Sequence, residues 1–200
     1  MSARNAVARD VSRETLERLD RYVALLTLWN TRINLIAPNS VPDIWDRHIR
    51  DSLQISRLDD GAEPWADLGS GGGLPGLVVA CDQPARVVIL VESDRRKALF
   101  LETVIRDLSL SAKVFSDRIE AIPPLDAQTI SARALAPLDL LLGYAAIHLR
   151  EGGTCLFPKG RNHMDEIEKA RQRWTFAMET IQSQTSSESA ILRIRDLKPS

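Results

Sequence analysis

Asp67 closes a short apolar run in the stretch WADLGSGGGLPGLVVA, and five of the nine residues after it are glycine. A second carboxylate, Glu92, ends the next apolar run, VVILVE. Bare backbone directly after an acid suits a ligand that lies against the main chain, because glycine has no Cβ and reaches φ values that other residues avoid. Three ligand classes compete for the pattern. A phosphate-cradling P-loop needs a lysine and a hydroxyl after its last glycine, whereas Leu77 and Val78 follow Gly76. A dinucleotide site is satisfied by Gly71, Gly73 and Gly76 as G-x-G-x-x-G, with Glu92 where a ribose-binding acid belongs. Asp67 counts against it, since it would face two phosphate charges across a short, partly dry gap. S-adenosylmethionine removes the conflict: it offers a ribose to Glu92, carries no phosphate, and presents an ammonium and a sulfonium to Asp67.

The elements that must position these residues are legible in outline. Up to Gly61 helical periodicity dominates, with Leu16, Leu19, Val23, Leu26 and Leu28 as one stripe and Ser12 with Glu14 as a helix start. A second helix is expected in SVPDIWDRHIRDSLQI, with Ser40 as its cap and Pro42 in its first turn. After Gly61, short apolar strands near 64–68, 86–92, 112–116, 127–131 and 153–158 alternate with helix-length segments near 75–82, 94–108, 137–149 and 162–174. Two later strands are expected near 176–182 and 190–195, separated by the polar loop QSQTSSES, read as solvated. The alternation is that of a parallel sheet covered on both faces, and such sheets bind ligands at the carboxyl ends of their strands. The division expected is a helical N-terminal extension over 1–60 and a cofactor-binding α/β domain over 61–200.

Composition narrows the class. With 26 basic and 27 acidic side chains the net charge is −1, so any nucleic-acid contact rests on a local basic patch. The longest apolar runs are far too short to cross a bilayer, and MSARNAVARD contains no apolar signal core, which leads to the expectation of a soluble, cytoplasmic monomer. Cys81 and Cys155 lie in apolar segments without metal spacing and are expected as buried thiols, with no metal site.

WADLGSGGGLPG, ARALAPLDLLLGYA and LFPKG, preceded by LWNTRINLIAPN and DRHIRDSLQI, resemble the bacterial RsmG (GidB) family of 16S rRNA guanine-N7 methyltransferases over nearly the whole chain. The resemblance implies a class I, Rossmann-like methyltransferase: a mostly parallel seven-stranded sheet with helices on both faces, plus a helical N-terminal extension. It also implies methyl transfer from S-adenosyl-L-methionine to N7 of one guanine in a decoding-region loop of small-subunit ribosomal RNA. By position it implies cofactor contacts at Gly69, Leu74, Ile119, Glu120 and Arg133. Ile36 departs from the pattern, standing where a hydroxyl residue is expected after Asn34-Leu35.

The cofactor-binding set is therefore Asp67, Gly69, Gly71, Leu74, Glu92, Ile119, Glu120 and Arg133. Guanine N7 has a lone pair and no proton to lose, so no catalytic acid or base is assigned. His48 and Asp51, at i and i+3, are expected to pair either as a helix-surface contact or as part of the substrate site, with the resemblance favouring the latter. Lys159 and Arg161 sit after the fifth strand and are expected to meet RNA backbone, with simple solvation as the bland reading. The target base must be unpaired, held on aromatic or guanidinium faces. Trp29 and Trp45 are read as packing anchors for the N-terminal helices. The partner is small-subunit ribosomal RNA or an assembling small subunit, with no membrane. A dehydrogenase and a non-catalytic ribosome-assembly module remain the alternatives.

Overall fold

In the computed structural model, which describes residues 2–59 and 61–200, seven strands form one sheet in the order β3-β2-β1-β4-β5-β7-β6. They are β1 (Trp65–Leu68), β2 (Val88–Val91), β3 (Ala112–Phe115), β4 (Ala127–Ser131), β5 (Leu149–Lys159), β6 (Trp174–Gln182) and β7 (Ala190–Pro199). The first five run parallel and β7 is antiparallel to both β5 and β6. Strand order reverses between β1 and β4, so the loops after Leu68 and Ser131 flank the switch point at which such sheets bind ligands.

The N-terminal part contributes α1 (Ala3–Asp10), α2 (Arg13–Asn30) and α3 (Asp51–Ser56), with Trp45–Arg50 wound as a π-helix that runs directly into α3. Ser12 caps α2 by accepting from the Thr15 amide. Leu19 and Leu26 are buried as the stripe requires, but Tyr22 replaces Leu28 in it, and Leu28 is 59% exposed. Ser40 does not cap a helix. It belongs to a 3-10 turn (Pro38–Ser40), and its hydroxyl donates to the Ala37 carbonyl and pairs with His48.

Strand alternation sorts the core into two clusters. Trp65, Val88 and Leu90 face α4 (Gly76–Asp82) and α5 (Arg95–Leu108), together with Leu19, Tyr22, Leu26 and Ile49 of the N-terminal helices. Ala66, Leu68, Ile89 and Val91 face the other way, where α6 (Leu138–His148) and α7 (His163–Ala170) supply Leu138, Leu142 and Ile167. The N-terminal helices thus share a core with the sheet. Trp29 packs at 5.6 Å on Phe100 of α5, and Trp45 lies against the same cluster beneath Arg4. Ile36 is also buried there, and only its amide is used for polar contact, donating to Asn30 Oδ1. Both cysteines are buried and free, and burial pushes the Cys81 thiol up to about 12. Among the described residues, no helix is long and apolar enough to cross a membrane.

Candidate active site

A cleft of about 410 Å³ lies at the switch point, with Gly69, Gly71, Leu74, Glu92, Ile119, Glu120 and Arg133 in its wall. Seven of the eight residues expected at the cofactor are therefore gathered in one place. The glycine loop earns its composition in three different ways. Gly69, Gly71 and Gly73 have φ of 66°, 55° and 87°, a region that side chains with a Cβ rarely occupy. A Cβ at Gly76 would lie 2.3 Å from Leu90 Cδ2 and 2.8 Å from Asp67, so this glycine lets α4 press onto the sheet. At Gly71 the nearest protein atom to such a Cβ would be 3.8 Å away: the space beside it is the cleft itself.

Asp67 is the member the cleft excludes. Its side chain is fully buried beneath the loop, with Oδ2 accepting from the Gly76 amide (3.2 Å) and Oδ1 from the Ser131 hydroxyl (2.7 Å). Ser131 in turn accepts from Trp65 Nε1, which completes a dry polar chain under α4. The expectation of direct or water-mediated contact with a cationic ligand is corrected: side chains alternate along β1, and Asp67 faces the helix with Trp65. Desolvation pushes its carboxyl up to about 6 against the opposing hydrogen bonds.

Glu92 is nearly buried, and its two oxygens accept from the Gly71 and Asp94 amides, each at 2.8 Å. The carboxylate fixes the glycine loop to the segment after β2 and keeps a lone pair on each oxygen for ribose hydroxyls. Asp94 caps α5, accepting from the amides of Arg96 and Lys97, and Lys97 also lines the cleft. Glu120 accepts from the Tyr144 hydroxyl at 3.0 Å, and hydrogen bonds from its own amide and Tyr144 hold its carboxyl below the usual range. The apolar Leu74 and Ile119, the bare glycine backbone and the hydroxyl-accepting acid Glu92 fit a ligand with a flat apolar ring and a ribose, in a wall where Asp117 and Glu120 are balanced by Lys97, Arg118 and Arg133. S-adenosylmethionine has that ring and ribose.

Several contributors escape sequence reading. Tyr22 of α2 donates to the Gly72 carbonyl at 2.6 Å, tying the N-terminal helices to the loop. Asn30 accepts from the amides of Leu35 and Ile36 and so presents Leu35 to the cleft. The W-N…N-L spacing is the available signal for that turn.

Arg133 stands between the cleft and the N-terminal helices. Its guanidinium donates to His48 Nδ1 (2.9 Å) and the Arg47 carbonyl (3.3 Å) and lies 3.5 Å from Asp51 Oδ2. His48 and Asp51 do not pair with each other, because both turn to Arg133. Burial first, and then Arg133 and Arg47, push His48 down to about 4. The neutral ring accepts from Arg133 at Nδ1 and donates from Nε2 to Ser40 at 2.8 Å. Lys159 is corrected as well. Its ammonium is buried, donating to the Ala136 carbonyl (2.8 Å) and to Glu166 (2.7 Å), so it braces the loop after β4 instead of reaching solvent. Arg161 is 75% exposed and pairs with Glu188. The QSQTSSES loop is less solvated than expected: Ser183 is buried, Gln54 accepts from the Gln184 amide, and Thr185 donates to Asp51.

The family model for GidB, described as rRNA small subunit methyltransferase G, matches residues 15–194. The chain belongs to this family. Curated relatives named ribosomal RNA small subunit methyltransferase G are 50% identical over 193 residues in Cereibacter sphaeroides, covering 94% of both chains, and 44% identical over 198 residues in Ruegeria pomeroyi, covering 97% of both. Solved structures similar to this chain include a putative transferase from Pyrococcus horikoshii (TM-score 0.61, 13% identity, 85% of this chain and 67% of that one). Another is the tRNA (m1A58) methyltransferase TrmI from Aquifex aeolicus (TM-score 0.58, 15% identity, 72% and 67%). The sheet order is thus that of the class I methyltransferase fold. Membership in the small subunit methyltransferase G family leaves no ground for the dehydrogenase alternative.

Proposed function

We propose that this chain is an S-adenosylmethionine-dependent methyltransferase that acts on N7 of a guanine in a decoding-region loop of small-subunit ribosomal RNA. The observation that carries the reading is the match of residues 15–194 to the methyltransferase G family in a chain whose glycine loop opens a cleft at the switch point. Gly69, Gly71 and Leu74 line the methionine and ribose positions, Glu92 takes the ribose, and Ile119 with Glu120 bounds the adenine end. S-adenosylmethionine, when bound, supplies an electrophilic methyl group on a sulfonium.

The chain's own residues have little covalent chemistry to perform. N7 loses no proton, so the site needs orientation and exclusion of water, and no general base. Glu92 and the Gly71 amide hold the loop rigid. Arg133, fixed by His48 and Asp51, borders the cleft on the side open to substrate. Asp67 acts from below by fixing the Gly76 amide. Exposed Arg161, which would exchange its surface pair with Glu188 for a phosphate, is better placed than buried Lys159 to meet RNA backbone.

With a net charge of −1, long-range attraction to RNA is weak, so a folded or protein-bearing small subunit is a better substrate than naked RNA. The chain is taken to act as a monomer in the cytoplasm. To test the site of modification, ribosomal RNA from cells with and without this protein is reduced with borohydride, cleaved with aniline and mapped by primer extension. One cleavage in small-subunit RNA should disappear with the protein. An unchanged cleavage map would overturn the N7 assignment.

A further inference from the structure

The cleft has a neighbour. A second cavity, of about 730 Å³, shares Arg133, Ala134 and Leu135 with it and extends away from the glycine loop. Its far walls come from Asp51 of the N-terminal helices and from Ser183, Thr185 and Ser186 between β6 and β7. The two spaces adjoin along these three residues, so a group held in the second cavity lies next to the ligand of the cleft.

Beside the second cavity, whose other charged lining residues are Arg47, Lys159 and Glu166, Asp51 and Arg133 form an ion pair. Their side chains are 17% and 20% exposed, with Arg133 NH1 3.5 Å from Asp51 Oδ2. Asp51 Oδ1 is fixed twice, by Gln54 Nε2 at 2.7 Å and by Thr185 Oγ1 at 2.8 Å. Oδ2 has only the long contact to Arg133, so it retains acceptor capacity beside the cavity. Arg133 borders both spaces, whereas Asp51 borders only the second.

We propose that the second cavity receives the target guanine lifted out of the RNA stack, with Arg133 donating to O6 and Asp51 accepting from N1–H and the 2-amino group. The proposal rests on the guanine-N7 reading given above and adds how the base is chosen. Guanine presents, in order around its edge, the acceptors N7 and O6 and then the donors N1–H and N2–H. A base whose N7 points to the cleft therefore has O6 beside Arg133, at the border of the two spaces, and N1–H one group further on, towards Asp51. Donor and acceptor stand in the matching order. Adenine in the same pose would turn its amino donor towards the guanidinium and its bare N1 towards the carboxylate, and both mismatches would be partly buried. Leu135, Pro137 and Ile191 offer the face of the ring aliphatic contact and take the place expected of a stacking ring, since among the described residues no aromatic side chain lines the cavity.

The 2-amino group makes this testable with the intact enzyme. Small-subunit RNA carrying inosine at the mapped position keeps N7, O6 and N1–H but lacks N2; it can be made by splinted ligation and assembled into subunits beside a guanosine control. The wild type should methylate the inosine subunit about 10-fold less efficiently in kcat/KM, as one buried charged hydrogen bond is lost. Asp51→Asn keeps an oxygen for Gln54 and Thr185, should lower kcat/KM on guanosine about 10- to 100-fold, and should bring the two substrates within about 2-fold of each other. Its cofactor affinity by calorimetry should stay within about 2-fold of wild type, which also reports an intact fold. Equal use of inosine and guanosine by the wild type overturns the assignment even if the variant fails to fold. So does an Asp51→Asn enzyme that keeps the full preference. Failure of the wild type to methylate the guanosine subunit instead overturns the functional reading, and the base assignment with it.

Discussion

The cleft beside the glycine loop and the cavity beyond Arg133 share a wall but are assembled in opposite ways. The cleft draws its floor from contiguous stretches, Gly69–Leu74 and Val91–Ser93, that follow adjacent strands β1 and β2. The cavity takes Asp51 from the N-terminal helices, Arg133 from the loop after β4 and Thr185 from the far hairpin, and joins them by an ion pair and a side-chain hydrogen bond that spans 134 residues. The first is fixed by backbone geometry, and so it resists substitution through sterics. The second is fixed by exchangeable polar contacts, so its failures should appear in substrate use and not in folding.

The sharpest way to break this contrast is at Gly76. Gly76→Val would drive a side chain into Leu90 and the buried Asp67, and is expected to destabilise the fold by about 3 kcal/mol or more. Thermal unfolding measures it, and a variant as stable as wild type would mean the loop is not sterically fixed. Next in size, Glu92→Ala should weaken binding of S-adenosylmethionine and of S-adenosylhomocysteine alike, by about 1–3 kcal/mol in calorimetry. A loss confined to the methylated form would put Glu92 near the sulfonium and away from the ribose.

A third effect concerns the carboxyl buried beneath the glycine loop. Burial raises the Asp67 carboxyl to about 6 in the folded chain from 3.8. Its contribution to stability is therefore fully present below about pH 4 and is lost as pH rises through about 6, in all some 2–3 kcal/mol. His48 acts in the opposite sense. Its folded value is lowered from 6.5 to about 4, so its contribution is present above 6.5 and is lost as pH falls through about 4. The two are separated by subtracting the stability–pH curve of Asp67→Asn from that of wild type: the difference should carry the acid-side gain between about pH 4 and 7. A flat difference would show that the carboxyl titrates normally. The smallest effect is expected at Arg161. Its pair with Glu188 is exposed, so Arg161→Ala should change stability by less than about 0.5 kcal/mol while reducing the salt dependence of RNA binding. A large stability loss would make it a brace like Lys159.

What sequence made legible follows the same division. Glycine spacing, the strand-end acid Glu92 and the alternation of strands and helices are local patterns, and they placed the cleft and the parallel part of the sheet. Asp67 was misjudged because its position at the end of β1 is legible while its face is set by packing against α4. Lys159 was misjudged because a loop lysine reads as solvated until Glu166 of α7 is seen to fold back onto it. Tyr22 and Thr185 carried no sequence signal, as their partners Gly72 and Asp51 lie 50 and 134 residues away. The QSQTSSES loop looked featureless for that reason, since composition reports polarity and not what a hydroxyl meets.

Guanine-N7 methylation of the small subunit can be measured by incubating purified protein with labelled S-adenosylmethionine and small ribosomal subunits from a strain lacking it, then digesting the RNA to nucleosides. Label should enter small-subunit RNA as 7-methylguanosine alone, approaching one methyl group per subunit, and more slowly in protein-free RNA. Label recovered in another nucleoside, or none incorporated by a protein that binds the cofactor, would contradict the guanine-N7 assignment.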